Sequence, residues 1–536
     1  LVPSPLIRRS AAAAAVAVVT GFVTATVTPG PTPGPTPDQH PIGGPYAALL
    51  ANSTDLGPAQ VATARLTAAL HTPQRPGELY SWAHQAGLSV RWQDGDTWAL
   101  IEGAPGDLGE ALGVEVHDYR TPEGRVFYAA AQQPSVPPAV RDDVTGLGRI
   151  LSYAPHRAAR PGPVPREVPD RGLVPDTLRR TYNAQGLWEA GHTGHGATVV
   201  VFAFDGFDQS DLDLFSSTFG LPPFVPEVVG GMPAARDGEA TMDLQAIHAV
   251  APGARTVLVN ALPTVSSDAP YARVGAMMAE TTRRYPGAIW SLSIGWGCDK
   301  LVTATDLEPV RAALRAAHRT GTTAFDASGD LAGLECKGTP TWSAPPSADD
   351  VGLDAVASVP EMTSVGGTTL STDPSGGWLD EQAWFDPPLS QGSGGGVSAL
   401  FERPEWQRTV LPGRDQSRRL TPDLAAVADP FTGMKIIVGG NVGVGGGTSL
   451  SAPIWAGLTA VVNDYLAARG AGPVGDLNPL LYRIAGSAAA PAFHDVTLGG
   501  NAVEIAGPGF DLVTGVGTPD VEQLARAVLA DARAAR

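Results

Sequence analysis

From about Leu173 to the C-terminus, continuous apolar runs alternate with stretches whose apolar residues recur at helical spacing. The runs ATVVVFAF (Ala197 to Phe204), RTVLVNAL (Arg255 to Leu262), AIWSLSIGW and TTAFDASGD read as strands buried on both faces. EATMDLQAIHAV and PVRAALRAAHRT are helical patterns lying between such runs. This alternation predicts a parallel sheet covered by helices on both faces, with chemistry at the strand C-termini. Upstream, a helical pattern at SWAHQAGLSV and short strands at TWALIEG and VFYAAA predict a small α+β module over 45–153. TPGPTPGPTPDQHP, Thr28 to Pro41, is an extended linker by composition, and we bound that linker at 28–44. A second Pro- and Arg-rich segment, 154–172, reads as an exposed, cleavable boundary before a large domain over 173–536. No internal repeat is visible.

The first 27 residues change the picture. Arg8 and Arg9 precede a small-residue apolar run, Ala11 to Val27, with the charge, length and position of a secretory signal. A retained membrane anchor is the alternative, and no later run is long and apolar enough to span a bilayer. With 536 residues and 43% hydrophobic composition, the chain has material for two or three cores. A net charge of −18 leaves no basic surplus to neutralise phosphates, which excludes nucleic acid as a general partner. The same surplus of carboxylates fits work in acid, although many exported bacterial proteins are acidic without it. The two cysteines, Cys298 and Cys336, form an even count in an exported chain and point to one disulfide, with two buried thiols as the alternative.

Four stretches carry candidate chemistry. In GGGTSLSAP, Ser449 sits after glycines that permit close backbone approach and before a buried helical pattern. A nucleophilic serine needs a base, and none of the ten histidines lies in the HGTH setting of a subtilisin. Glu239 and Asp243, four apart in a helical pattern, project from one face; if desolvated they would share a proton and could serve as base where histidine is already charged. Asp330 in DASGDLAG follows a strand-like run, where a protonated carboxyl could donate to an oxyanion. Asp495 and Asp511 lie among glycines in a late loop-like segment, a setting of carboxylates and carbonyls that suits Ca²⁺. Taken singly, each has a plain reading as well: a helix cap, a solvated helix face, a turn aspartate, a metal-free turn.

In combination, Glu-xxx-Asp, SGD, GTSxxxP and the C-terminal Asp loop resemble the sedolisins, the serine-carboxyl peptidases. SGGGVSALFERPEWQ, RRLTPDLAAVADPFTG and DTLRRTYNAQGLWEAGHTGHGATVVV are similar to further segments of that family, and EGRVFYAA with WAHQAGLSV to its activation prodomain. The resemblance covers nearly everything after the first linker. It implies a subtilisin-like parallel sheet flanked by helices, preceded by a small α+β, ferredoxin-like prodomain that inhibits the precursor. It assigns Ser449 as nucleophile, Glu239 as general base, Asp243 as the residue orienting Glu239, and Asp330 as oxyanion donor. It implies one structural Ca²⁺, held by the carboxylates of Asp495 and Asp511 and the carbonyls of Val496, Gly507 and Gly509. His248, close to Asp243 in sequence, is read as packing or surface. The chain departs from the family's SGDSG with SGDLAG, and from SGTS with GGTS. Asp205 and Trp296 lie near the place of an outer network that some members link to the base. The expectation is a secreted, acid-acting endopeptidase, self-processing and monomeric, acting on proteins or peptides and membrane-attached only if its N-terminal segment is retained. A tripeptidyl-peptidase of the same family, a neutral subtilisin-type protease using His248 or another histidine, and a non-catalytic binding protein on this scaffold are the rivals.

Overall fold

The computed structural model describes residues 41–158, 172–337, 346–408, 417–486 and 491–534. The signal or anchor segment 1–27, the first linker up to residue 40, and residues 159–171 of the second linker lie outside the described residues.

In the N-terminal module, the alternating run at Ala64 to Leu70 forms a central strand because Leu66, Ala68 and Leu70 all point into one core. The elements are β1 (Ala64–Leu70), α1 (Gly77–Gln85), β2 (Ser89–Arg91), β3 (Trp98–Gly103), α2 (Pro105–Leu112) and β4 (Val144–Leu147). Their sheet runs β2-β3-β1-β4 with every neighbour antiparallel. That strand order, with the two helices in those connections, is ferredoxin-like. A hairpin, Val116–Arg120 with Val126–Ala130, is inserted before the last strand. The SWAHQAGLSV pattern splits: the helix stops at Gln85, and Ser89 and Val90 already belong to a strand.

The second domain is built on β5 (Thr198–Ala203), β6 (Glu227–Val229), α3 (Glu239–Val250), β7 (Arg255–Asn260), α4 (Pro270–Arg284), β8 (Ile289–Leu292), α5 (Glu308–His318), β9 (Thr323–Ala327), β10 (Thr363–Thr372), β11 (Trp378–Ala383), β12 (Leu424–Val427) and α6 (Thr448–Ala467). The sheet order is β6-β7-β5-β8-β9-β10-β11, with β12 also pairing β10. All of these pairings are parallel except β10 with β11. Continuous apolar strands make sense here because both faces are covered. Val199, Val201 and Ala203 enter the core that holds α3 and α6. Val200 and Phe202, one residue out of phase, enter the core that holds α4 and α5. Cys298 and Cys336 are joined in a disulfide. No described helix is long and apolar enough to cross a membrane.

The linker leaves the N-terminal module along this domain. Arg157–Ala158 pairs antiparallel with Ile294–Gly295, which follows β8 directly. The module itself docks through Arg65 paired with Asp268, Arg125 donating to the Val265 carbonyl at 2.8 Å, and Arg149 donating to the Lys300 carbonyl at 2.8 Å.

Candidate active site

Strand C-termini deliver the site. Asp205 follows β5, Ser293 follows β8 and Asp330 follows β9, while α3 and α6 bring their N-termini to the same place. Helix α3 begins at Gly238, whose φ of +101° suits glycine, and its own sequence supplies no side-chain cap. Asp205 does so from a distance, accepting the backbone N–H groups of Gly238, Glu239 and Ala240 at 3.0, 3.1 and 3.0 Å. A carboxylate at a helix N-terminus is favourably placed. The cap locks the first turn of α3, and with it Glu239.

Glu239 and Asp243 are buried to 1% and 0% exposure. Burial raises the Glu239 carboxyl well above its usual range, and the charges of Asp243, Asp205 and Asp330 push the same way; the nearby Ser449 hydroxyl pulls back only weakly. Neither Glu239 oxygen has a hydrogen-bond partner of ordinary geometry. Burial also raises Asp243, with Ser293 opposing and Asp205 adding to the shift. Two carboxyls this close in a dry site retain protons that they would lose in water. Because both values are raised on folding, these groups favour the folded state below the ordinary carboxylate range and lose that contribution as pH rises toward their folded values. The site is therefore an acid-stabilised element.

Ser449 is the second residue of α6 and is 4% exposed. Its hydroxyl donates to the Ser293 carbonyl at 3.3 Å. The hydroxyl of Ser293 lies 3.0 Å from the Ser449 carbonyl and 2.8 Å from Asp243 Oδ1. Asp330 Oδ1 accepts both the N–H and the hydroxyl of Thr448, each at 2.8 Å, and so stands beside the residue that precedes Ser449. Gly447, at φ +88°, is required there: a Cβ would lie 2.8 Å from Asp330 Oδ2. The SGDLAG turn is indeed unusual. Ala332 takes a positive φ of +56°, and the Leu331 N–H is satisfied by Glu335 at 2.7 Å.

The structure thus brings Ser449, Glu239, Asp243 and Asp330 together. His248 is elsewhere. Nine residues after Glu239 is about half a turn out of phase, on the opposite face of α3. It stacks on Phe224 at 3.8 Å, and Nε2 lies 2.7 Å from the Pro222 carbonyl. Burial lowers it to about 4. Trp296 does not join Asp205; its indole donates to Thr264 at 3.1 Å. Sequence reasoning overlooked Ser293, whose signal was a serine at the end of the SLSIGW strand, and left Asp205 unassigned. Its capping role could not be read because its partners lie more than 30 residues on.

Asp495 and Asp511 bracket one loop. Asp495 Oδ2 accepts the Gly509 N–H at 2.9 Å, and Asp511 Oδ2 the Gly507 N–H at 3.2 Å. Asp511 Oδ1 also accepts the N–H groups of Val513 and Thr514 at 2.8 Å, which ties the loop's end. Burial raises the Asp511 carboxyl against these bonds. The carbonyls of Val496, Gly507 and Gly509 receive no hydrogen bond from the described residues. Hard carboxylate and carbonyl oxygens on one short loop fit the ligand chemistry of Ca²⁺.

Among known proteins, kumamolisin from Bacillus sp. (strain MN-32) is 30% identical over 469 residues, covering 82% of this chain and 80% of that protein. Tripeptidyl-peptidase 1 of Bos taurus is 28% identical over 504 residues, covering 86% and 83%. The structure is similar to that of Pseudomonas sedolisin, a serine-carboxyl proteinase solved with two molecules of pseudo-iodotyrostatin, with a TM-score of 0.57, 26% identity, and coverage of 68% of this chain and 99% of that one. No family model matches the chain. The fold and its relatives define a serine-type peptidase acting on proteins or peptides. The chain belongs to the sedolisin family, the serine-carboxyl peptidases.

Proposed function

We propose that this protein is a secreted endopeptidase that works in acid, with Ser449 as nucleophile. The observation that carries the reading is the buried Glu239 carboxyl, unpartnered and next to Ser449. Glu239 takes the hydroxyl proton as Ser449 attacks the scissile carbonyl, and returns it to the leaving amine; water then hydrolyses the acyl-enzyme by the same route. Asp243 orients Glu239. Asp330, protonated, donates to the oxygen that becomes negative, together with backbone near Ser449. No histidine is needed, so the chemistry survives where imidazole would be charged.

The edge at Ile294–Gly295 is where a peptide substrate would add as a strand, since residues 157–158 of the chain already pair with it. The N-terminal module is then an inhibitory prodomain, and the linker over 154–172 is the segment cut on maturation. Protonating Asp268 would remove its pair with Arg65. Asp306, also at this interface, accepts the Arg149 backbone N–H at 3.1 Å; burial raises its carboxyl, and this bond from the module pulls it back. Purified precursor brought to acid pH should acquire a new N-terminus within 154–172 and gain pepstatin-insensitive proteolysis. Ser449→Ala should do neither, and equal processing of that variant in isolation would refute the reading. The relatives named tripeptidyl-peptidase 1 favour, as a second reading, removal of tripeptides from free N-termini. A cleavage profile on internal and N-terminal peptide libraries separates the two.

We further propose one structural Ca²⁺ at the Asp495–Asp511 loop, with no part in the reaction. Bound there, the ion would neutralise two carboxylates that otherwise repel. In the inactive Ser449→Ala background, where self-digestion cannot mimic unfolding, chelator should lower the Tm and excess Ca²⁺ restore it. Asp511→Ala should remove the response. An unchanged Tm with no bound metal by elemental analysis would leave a plain turn.

A further inference from the structure

The GTSxxxP motif places a proline four residues after the nucleophile, inside a helix. An α-helical carbonyl is normally satisfied by the N–H four residues on, and Pro453 has none. The Ser449 carbonyl is therefore left without its helical donor in a buried site, where an unmade bond is costly. Ser293 fills the gap, its Oγ lying 3.0 Å from that oxygen. The same Oγ is 2.8 Å from Asp243 Oδ1. A hydroxyl carries one hydrogen. A carbonyl can only accept, so if Ser293 donates to Ser449 its contact with Asp243 is a hydrogen bond only when Asp243 itself holds the proton. The reciprocal bond, from Ser449 Oγ to the Ser293 carbonyl at 3.3 Å, holds the two serines in this register.

We propose that Ser293 is a positioning residue that keeps Asp243 in its protonated form: its hydroxyl, committed as a donor to the carbonyl that Pro453 orphans, is left to accept the Asp243 proton. The inference rests on the reading of Glu239 as base and deepens it. Of the two interacting carboxyls, Asp243 holds the shared proton, and Glu239 is the anion that faces Ser449. The other groups around Asp243 point the same way. Glu239, the anion of the pair, lies one turn earlier on α3, and Asp205 follows β5; both disfavour a negative charge on Asp243, while Asp330, beside Thr448, is read as protonated and adds none. Asp243 is fully enclosed, and burial raises its carboxyl well above the usual range; a Ser293 hydroxyl turned as donor toward Asp243 would oppose that rise, and one committed to the Ser449 carbonyl does not.

The test is Pro453→Ala, which touches no reacting group and suits a helix interior. Alanine returns an N–H to the Ser449 carbonyl, and Ser293 becomes free to donate to an ionised Asp243. The alkaline limb of the kcat/KM profile should then move toward acid by about one pH unit or more, the scale of a hydrogen bond to an ionised group. The acid limb and KM should stay in place. In the Ser293→Ala background the same Pro453→Ala change should shift nothing, because the hydroxyl that transmits it is gone; circular dichroism and Tm confirm that each variant is folded. An unmoved alkaline limb in Pro453→Ala, or an equal shift with and without Ser293, would overturn the inference. Glu239→Gln run alongside separates the two levels: if that variant keeps full turnover, the reading of the base has failed instead.

Discussion

Glu239→Gln should fold, bind peptide and show no measurable turnover, while His248→Ala keeps most of the parental rate. The glutamine is nearly isosteric and fits the same buried space, but it cannot take the Ser449 proton. His248 cannot stand in, because it is on the far face of α3 with its Nε2 2.7 Å from the Pro222 carbonyl. The parental profile should peak in acid and fade toward neutrality. Both carboxyls of the pair are raised by burial, and their loss of shared protons on the way to neutrality removes the arrangement that catalysis uses. The pair's contribution to stability should follow in the same direction and fall as those raised groups ionise, while buried His248, lowered to about 4, acts oppositely and costs stability as pH falls toward that value. Steady-state kinetics across pH on the mature enzyme, with urea unfolding of Ser449→Ala over the same range, measures both. Full activity in Glu239→Gln, or an optimum above neutrality, would end the assignment.

Asp330→Ala should lower kcat by about 10²- to 10³-fold with little change in KM, the usual cost of removing one oxyanion donor. A donor aimed at developing charge stabilises the transition state more than the bound substrate, so the loss belongs in kcat. Asp330→Asn retains an N–H donor and should keep part of the rate. A structural origin is separable: Asp330 also accepts from Thr448 at the start of α6, and loss of that contact alone should lower Tm without the kcat-specific signature. A correctly folded Asp330→Ala enzyme turning over at the parental rate would show that the oxyanion is held by other groups.

Much of the second domain was legible because its strands are buried on both faces. Runs such as VVVFA in β5 have no polar alternation to confuse with a half-exposed strand, and each is followed by a pattern of helical period. Glu239 and Asp243 could be paired for a local reason: four residues in a helix bring two side chains to one face whatever surrounds them. What the linear pattern could not show was that this face is dry. A solvated and a buried Glu-xxx-Asp look alike in sequence, and their protonation differs entirely. The helical reading of SWAHQAGLSV ran too far because its C-terminal residues pair with β3, and pairing is a non-local property.

By itself, the sequence determined the alternation of elements, the candidate nucleophile and carboxyls, and, through its motifs together, the family. Those are consequences of local geometry and of residue types at set spacings. Tertiary structure alone decided which groups meet. Asp205 caps a helix that starts more than 30 residues later, Asp330 reaches Thr448 across 118 positions, and Ser293 connects Asp243 to a carbonyl 156 positions away. Each of these contacts depends on strands from separate parts of the chain ending at one edge of the sheet. Burial there sets the carboxyl protonation, because desolvation is a property of the closed fold and of no segment within it.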